Sequence, residues 1–179
     1  MAIPQDQMAQ FLEEKEIEFY RFHLEQVLRY REHTLTDKEE KLLAASGEMG
    51  RAARDAFDML DNADLKLGEI KGEDGESLSL THGNFQSLMQ SYDRRVRKDA
   101  FDTYYNAYES HRFTYSTLLS ASVKKDLFYS RSRNYSGYRA KALFSENISE
   151  SVYDNLIESV HQNFKPLYKY FDLRKRLLG

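Results

Sequence analysis

The chain has 179 residues, of which 41% are hydrophobic, so it can form one packed domain or one lobe of a larger protein. Charged residues make up 31%, which argues against intrinsic disorder, and the net charge of -3 provides no general attraction to nucleic acid. The absence of cysteine excludes disulfides, thiolate metal sites and cysteine nucleophiles.

The N-terminal third is predicted to be helical. Residues 8–31 form the first predicted helix, because apolar residues recur at helical spacing in its second half. A second helix should begin at a capping box, in which the side chains of Thr36 and Glu39 satisfy free backbone N–H groups. It should end near Gly47 and Gly50, which predict a break, and a third short helix should follow. The apolar positions of that third helix are Ala53, Ala56, Phe57 and Leu60.

A β-hairpin is predicted near residues 65–80, where the spacing of apolar residues changes from that of a helix to that of a strand. The alternating apolar residues are Leu65, Leu67, Leu78 and Leu80. Between them, Gly72 and the pair Asp74-Gly75 can take positive φ and so favour a tight turn. A lone hairpin is marginal in water, so we expect it to pack on helices or to join a sheet elsewhere in the protein.

The second half is predicted to be a series of helices. One helix has an apolar face made of Val96, Ala100, Tyr104, Ala107, Tyr108 and His111, and the next carries Phe113, Thr117 and Ala121. Residues 133–137 are a predicted turn, and Asn147 or Ser149 can cap the helix beyond it. Pro166 should occupy the first turn of the last helix, where its missing N–H costs nothing. The predicted fold is mainly α, a multi-helix lobe with one β-hairpin near residues 65–80.

The sequence contains no recognisable catalytic or metal-binding motif. A helical zinc peptidase needs H-E-x-x-H, in which two histidines bind the metal and the glutamate activates water. The five histidines are His23, His33, His82, His111 and His161; none precedes a glutamate and no two are four residues apart. There is also no nucleophile elbow, phosphate loop or dinucleotide fingerprint. We therefore predict no catalytic, cofactor-binding or metal-binding residue in this chain.

Three of the histidines can be considered individually as possible binding residues. His33 and Asp37 are four residues apart, but two threonines interrupt any helix between them. His82 lies at a predicted strand-to-helix turn and could bind a ligand, although local capping is the simpler interpretation. His111 lies on the tyrosine-rich face and is interpreted as a packed or surface histidine.

Aromatic residues are concentrated in the middle of the chain. They are Tyr92, Phe101, Tyr104, Tyr105, Tyr108, Phe113 and Tyr115. Such a set could stack on the bases of single-stranded nucleic acid. Because the spacing is helical and the chain is acidic, we predict that these rings pack in the core and that nucleic acid is not a partner.

The cytoplasm is the expected location. No segment approaches the roughly 20 apolar residues that a membrane-spanning helix needs, so no membrane association is expected. The first six residues have neither the basic flank nor the apolar run of a signal peptide.

Several blocks of sequence, taken in order, resemble oligoendopeptidase F of bacteria. They are DMLDNADLK (58–66) and LTHGNF (80–85), YDRRVRKDAF (92–101), VKKDLFY (123–129), ALFSENI (142–148), and VYDNLI (152–157) continuing to PLYKYFDLRK (166–175). Each block alone has little specificity, but their order makes the resemblance strong. It covers nearly the whole chain from about Tyr20.

The resemblance implies an intracellular zinc enzyme, similar to thimet oligopeptidase, that cleaves short peptides in a channel between two helical lobes. The family's zinc motif lies in the C-terminal half, so none of its catalytic residues has a counterpart here. Residues 1–179 are accordingly expected to be part of the N-terminal helical lobe, with the catalytic domain absent. Zinc would belong to the intact enzyme, and the missing catalytic lobe and oligopeptides would be the partners.

Two functions remain open at this point. The chain can be an enzyme lobe that shapes the substrate channel and is inactive alone, or a free-standing helical module that binds peptides or a protein. A lobe that lacks its partner should expose apolar residues on its last helix, or cover them by self-association. The candidate residues are Phe164, Leu167, Tyr170, Phe171, Leu177 and Leu178.

Overall fold

The computed structural model describes residues 3–178, apart from the side chain of Gln5, and is mainly helical as predicted. In this part of the chain nine α-helices and one two-stranded antiparallel sheet occur. The helices are α1 (Gln5–Glu13), α2 (Arg21–Arg29), α3 (Asp37–Met59), α4 (His82–Leu88), α5 (Arg94–Ser110), α6 (Arg112–Ser132), α7 (Tyr138–Phe144), α8 (Glu150–Gln162) and α9 (Phe164–Leu178). The strands are β1 (Glu69–Lys71) and β2 (Ser77–Ser79).

The first predicted helix, residues 8–31, is interrupted, so this prediction was wrong. Glu14 is extended, with φ -68° and ψ 135°, and a 3-10 segment, Lys15–Tyr20, separates α1 from α2. A continuous helix would place Glu14 and Glu18 four residues apart, where like charges repel. The Nε atom of Arg21 instead donates to the carbonyl of Leu12 at 2.9 Å, which satisfies an acceptor freed by the break.

Helix α3 begins at the predicted capping box but does not break at its glycines. The backbone N–H of Thr36 donates to Glu39 Oε2 at 3.0 Å, and the Thr36 hydroxyl accepts the N–H of Glu39. The helix continues through Gly47 and Gly50, so the predicted break and separate third helix were wrong. A β-carbon at position 50 would lie 3.1 Å from the hydroxyl of Tyr129 on α6, so glycine permits the close approach of the two helices. This packing outweighs the roughly 1 kcal/mol by which glycine disfavours a helix.

The predicted hairpin is confirmed. Strands β1 and β2 pair antiparallel, with Ile70 opposite Leu78. Gly75 takes the expected positive φ of +80°, whereas Gly72 does not have positive φ and Gly68 does, at +88°. Gly72 instead closes the turn, because its N–H donates to the carbonyl of Glu76 at 2.9 Å.

The main core lies where the hairpin packs on α4 and α5. Its buried members are Leu65, Leu67, Ile70, Leu80, Val96 and Ala100, and Phe85, Leu88, Tyr104, Ala107 and Tyr108 pack against them. The hairpin therefore packs on helices, which is one of the two expected arrangements, and the apolar face predicted for α5 is confirmed. Helix α4 is placed by a second capping box, in which Thr81 and Asn84 exchange hydrogen bonds of 2.8 and 3.1 Å.

Polar contacts link the turn after α6 to α3, and α7 to α8. Both terminal nitrogens of Arg133, in the predicted turn after α6, donate to the carboxylate of Glu40 at 2.7 Å. Arg139 on α7 similarly binds Glu150 at 2.5 Å and Asp154 at 2.8 Å on α8. Pro166 lies in the first turn of α9, as predicted.

Candidate interaction surfaces

The last two helices carry an exposed apolar face, here called the terminal apolar face. Its residues are Val152, Leu156, Ile157, Val160, Leu167, Tyr170, Phe171, Leu173 and Leu177. Within the described residues, neither α8 nor α9 contains a buried side chain, and Leu177 is 70% exposed. The prediction of an apolar patch on the last helix is confirmed for Leu167, Tyr170, Phe171 and Leu177, whereas Phe164 and Leu178 are half-buried. Exposed apolar side chains concentrated on two consecutive helices typically mark an interaction site.

Two arginines anchor the end of α9 to the main core. Arg97 on α5 donates to the backbone carbonyl of Leu178 at 2.5 Å. Arg174 on α9 donates to the carbonyl of Met89, just after α4, at 3.1 Å. The terminal apolar face is thus held on the rest of the molecule by charge-assisted hydrogen bonds rather than by a shared apolar core.

A cluster of phenols surrounds a carboxylate at the end of α3, where residues Leu60–Asp64 form one π-helical turn. Oδ1 of Asp61 accepts from the hydroxyls of Tyr108 at 3.0 Å and Tyr115 at 3.1 Å. Burial, and next the hydrogen bond to Asp61, raise the pKa of Tyr115 to about 12. Burial likewise raises the pKa of Tyr108 above its ordinary value.

His82 belongs to this cluster and does not cap α4, a role taken by Thr81. Its Nδ1 lies 3.0 Å from the hydroxyl of Tyr104, and its Nε2 lies 3.8 Å from Oδ2 of Asp61. The sequence did not predict the π-helical turn or the role of the Asp61 carboxylate. Its only indication was an aspartate that follows the apolar positions of α3. The arrangement ties α3, α4, α5 and α6 together.

The aromatic residues of the middle segment divide into two groups. Tyr104, Tyr108 and Tyr115 are partly buried and pack as predicted. The prediction of core packing was wrong for the others, because Tyr92, Phe101, Tyr105 and Phe113 are exposed. Exposed aromatic side chains therefore remain on the surface of both α5 and α6.

The histidines do not assemble a metal site in residues 3–178. The ring of His33 stacks on Tyr135 with centroids 3.6 Å apart, and Nδ1 of His111 contacts the carbonyl of Ala107 at 3.1 Å. Nowhere in this range do three histidine or carboxylate side chains converge as metal ligands would. With no H-E-x-x-H in the sequence, the donor set of this chain does not fit a catalytic zinc ion.

A cleft of about 840 Å³ lies between α3 and α6. Its lining combines apolar side chains with Arg51, Arg54, Lys125 and Lys141. We refer to it as the α3–α6 cleft. None of the described helices is both long and apolar enough to cross a membrane.

The chain matches known peptidases along nearly its whole length. The family described as oligopeptidase F matches residues 1–66, and peptidase family M3 matches residues 87–179. Oligopeptidase PepF of Bacillus subtilis is 40% identical over 179 residues, which cover 99% of this chain and 27% of that protein. The plasmid-encoded oligoendopeptidase F of Lactococcus lactis subsp. cremoris is 41% identical over 160 residues, covering 89% of this chain and 27% of that protein.

A solved structure agrees with these sequence matches. The crystal structure of oligoendopeptidase-F from Enterococcus faecium superposes with a TM-score of 0.88 and 42% identity, over 98% of this chain and 34% of that one. The chain spans about a quarter of the length of the curated relatives it matches. The chain belongs to peptidase family M3 and is similar to an N-terminal portion of the oligoendopeptidases F.

Proposed function

We propose that this chain is the N-terminal, non-catalytic part of a cytoplasmic zinc-dependent oligopeptidase, in which it forms part of the wall that limits access to the substrate channel. The catalytic zinc ion and its ligands would lie in the remainder of the enzyme. Oligopeptides are the proposed substrates of that whole enzyme. The chain alone would not hydrolyse them.

The terminal apolar face is the observation that carries this proposal. A free-standing module would be expected to bury Tyr170, Phe171 and Leu177, yet all three are exposed. Removing such side chains from water is worth about 25 cal/mol per Å², so a face this extended favours a large and lasting partner. The relatives matched by this chain are roughly four times longer, which supports assigning that partner to the rest of the peptidase.

The missing donor set supports an indirect role. Peptide hydrolysis by a zinc enzyme needs a metal that lowers the pKa of its bound water, and a carboxylate that accepts the proton. Because this chain lacks the histidine pair with its intervening glutamate, it would contribute shape and rigidity instead.

A chimera tests the proposal. The matching part of Bacillus subtilis oligopeptidase PepF is replaced by this chain, and cleavage of a quenched fluorescent oligopeptide is measured. The chimera should be active and should lose activity with a zinc chelator, whereas this chain alone should be inactive with or without added zinc. A second chimera in which Tyr170, Phe171 and Leu177 are changed to serine should be impaired, because the apolar face would no longer seat on its partner.

Two outcomes would contradict the proposal. One is zinc-dependent turnover by the rigorously purified chain. The other is a well-folded, soluble chimera whose activity is no higher than that of the same enzyme with the matching part deleted.

A further inference from the structure

The α3–α6 cleft has the dimensions and lining of a ligand site. Its volume of about 840 Å³ lies within the range of about 300–1,000 Å³ that is usual for ligand pockets. Phe57 from α3 and Leu119 from α6 line it, and they remain 40% and 68% exposed. Gly47 leaves part of one wall without a side chain, and no atom would lie within 4 Å of a β-carbon there, so a bound chain could approach the α3 backbone at this point.

Positive charge is concentrated around this apolar lining. Four cations line the cleft, namely Arg51, Arg54, Lys125 and Lys141, against one carboxylate, Asp126. Arg54 is paired with Asp58 at 3.2 Å and Lys125 with Asp126 at 3.2 Å. Arg51 and Lys141 have no carboxylate within 4.0 Å among residues 3–178.

Two unpaired cations beside an exposed phenylalanine and leucine suit a ligand that combines a carboxylate with apolar side chains. Lys141 is half-buried, so a carboxylate bound there would be partly shielded from water, where charge-assisted hydrogen bonds are strongest. The chain as a whole carries a net charge of -3, so the positive potential belongs to the cleft and not to the surface in general.

We propose that the α3–α6 cleft binds oligopeptides through an acidic side chain, which pairs with Arg51 and Lys141 while a neighbouring apolar side chain contacts Phe57 and Leu119. This inference rests on the proposed function and deepens it. It assigns a peptide-holding site to the non-catalytic part and predicts a preference for peptides that carry acidic next to apolar residues.

Binding to the 179-residue chain tests the inference directly. The probe is the blocked peptide acetyl-Gly-Leu-Phe-Asp-Leu-Gly-amide, and the matched control peptide has Asn in place of Asp. Amide resonances in a nitrogen–proton correlation spectrum report the site, since Gly47 and Gly50 line the cleft and Gly75 lies in the hairpin turn. The Asp peptide should shift the resonances of Gly47 and Gly50 but not that of Gly75. The Asn peptide should bind about tenfold more weakly, as expected for the loss of a charge-assisted contact.

Matched variants locate the charge. R51Q/K141Q should weaken binding of the Asp peptide about tenfold, with the far-ultraviolet circular dichroism unchanged. K38Q/K41Q removes two exposed cations of α3 that lie outside the cleft, and this variant should bind like the original chain. The inference would be overturned if neither peptide bound, or if only the resonance of Gly75 shifted. It would also be overturned if the two peptides bound equally well, or if the two double variants had equal effects. The chimera experiment would be unaffected by those results, so the two failures can be told apart.

Discussion

The hairpin with α4 and α5 differs sharply from α8 with α9. In the first region six apolar side chains are buried together, and Val96 is only 1% exposed. In the second, no described side chain is buried, although both helices are amphipathic. Both regions have strong helical periodicity, so periodicity alone does not tell which apolar face is a core and which is an interface. The difference lies in whether this chain supplies the opposing surface.

A charged residue placed in each region should give the largest contrast. Val96→Asp buries an unpaired carboxylate and should lower the free energy of unfolding by about 4 kcal/mol or more, enough to unfold much of the protein. Val160→Asp on α8, where the valine is 49% exposed, should change it by less than about 0.5 kcal/mol. Urea unfolding followed by circular dichroism measures both. Similar losses would mean that the terminal apolar face is part of a core.

Shortening either of two facing side chains in the hairpin makes the same comparison at a single pair of residues. Ile70 is 5% exposed and Leu78, its cross-strand neighbour, is 38% exposed. Ile70→Ala should cost about 3 kcal/mol because it leaves a cavity, and Leu78→Ala about 1 kcal/mol. The same unfolding titration reports the difference. Equal costs would show that the hairpin is buried evenly on both strands.

Alkaline pH should weaken the phenol cluster at the end of α3. The pKa of Tyr115 in the folded protein is about 12, above its ordinary value of 10.0, so folding favours the protonated phenol. The protonated phenol makes its full contribution to the free energy of unfolding below pH 10. This contribution is lost as the pH rises towards 12, because in that range the unfolded chain releases the proton more readily than the folded protein. Tyr115→Phe should cost about 1.5 kcal/mol near neutral pH and should reduce the loss of stability between pH 10 and 12.

Tyr105→Phe is the matched control for that cluster. Tyr105 is exposed, and its ring lies near the rings of Phe85, Phe101 and Tyr104 rather than near Asp61. Its substitution should leave the alkaline loss of stability as it is in the original chain. If Tyr115→Phe and Tyr105→Phe gave the same pH profile, the Asp61 hydrogen bond would not contribute to stability.

The smallest effect on stability is expected on α9. Changing Tyr170 and Leu177 to serine should alter the free energy of unfolding by less than about 0.5 kcal/mol, since both side chains are exposed. Self-association measured by sedimentation velocity should nevertheless decrease, because the terminal apolar face becomes more polar. An unchanged sedimentation profile in a chain that self-associates would place the contact elsewhere.

The sequence predicts an element well where the residues that determine it lie close together in the chain. The Thr36–Glu39 capping box and the Asp74-Gly75 turn are complete within a few residues, so they could be identified without the fold. Gly50 predicts a helix break from local sequence, and this prediction is wrong. A glycine is needed there because the side chain of Tyr129, 79 positions further along the chain, packs against it. The interruption at Glu14 lies within a run of acidic residues, whereas the helix was predicted from the spacing of apolar residues alone.

The candidate surfaces were predictable only in part. Exposure of Tyr170, Phe171 and Leu177 followed from the inferred family, not from their spacing, which is equally suited to a core. The reverse holds at Phe101 and Tyr105, where helical spacing predicts burial but the side chains are exposed. The Asp61 cluster joins residues of α4, α5 and α6 to the turn after α3, so no single stretch of sequence contains it.

The main core is also continuous in sequence, since its buried members all fall between Leu65 and Ala100. Contacts between residues close in sequence form quickly, because little chain entropy is lost in closing short loops. During synthesis this region can therefore fold on the ribosome before α8 and α9 have emerged from the exit tunnel. The terminal apolar face would then form on a region that is already folded. Its side chains would spend less time on an unfolded chain, which limits aggregation of the nascent protein.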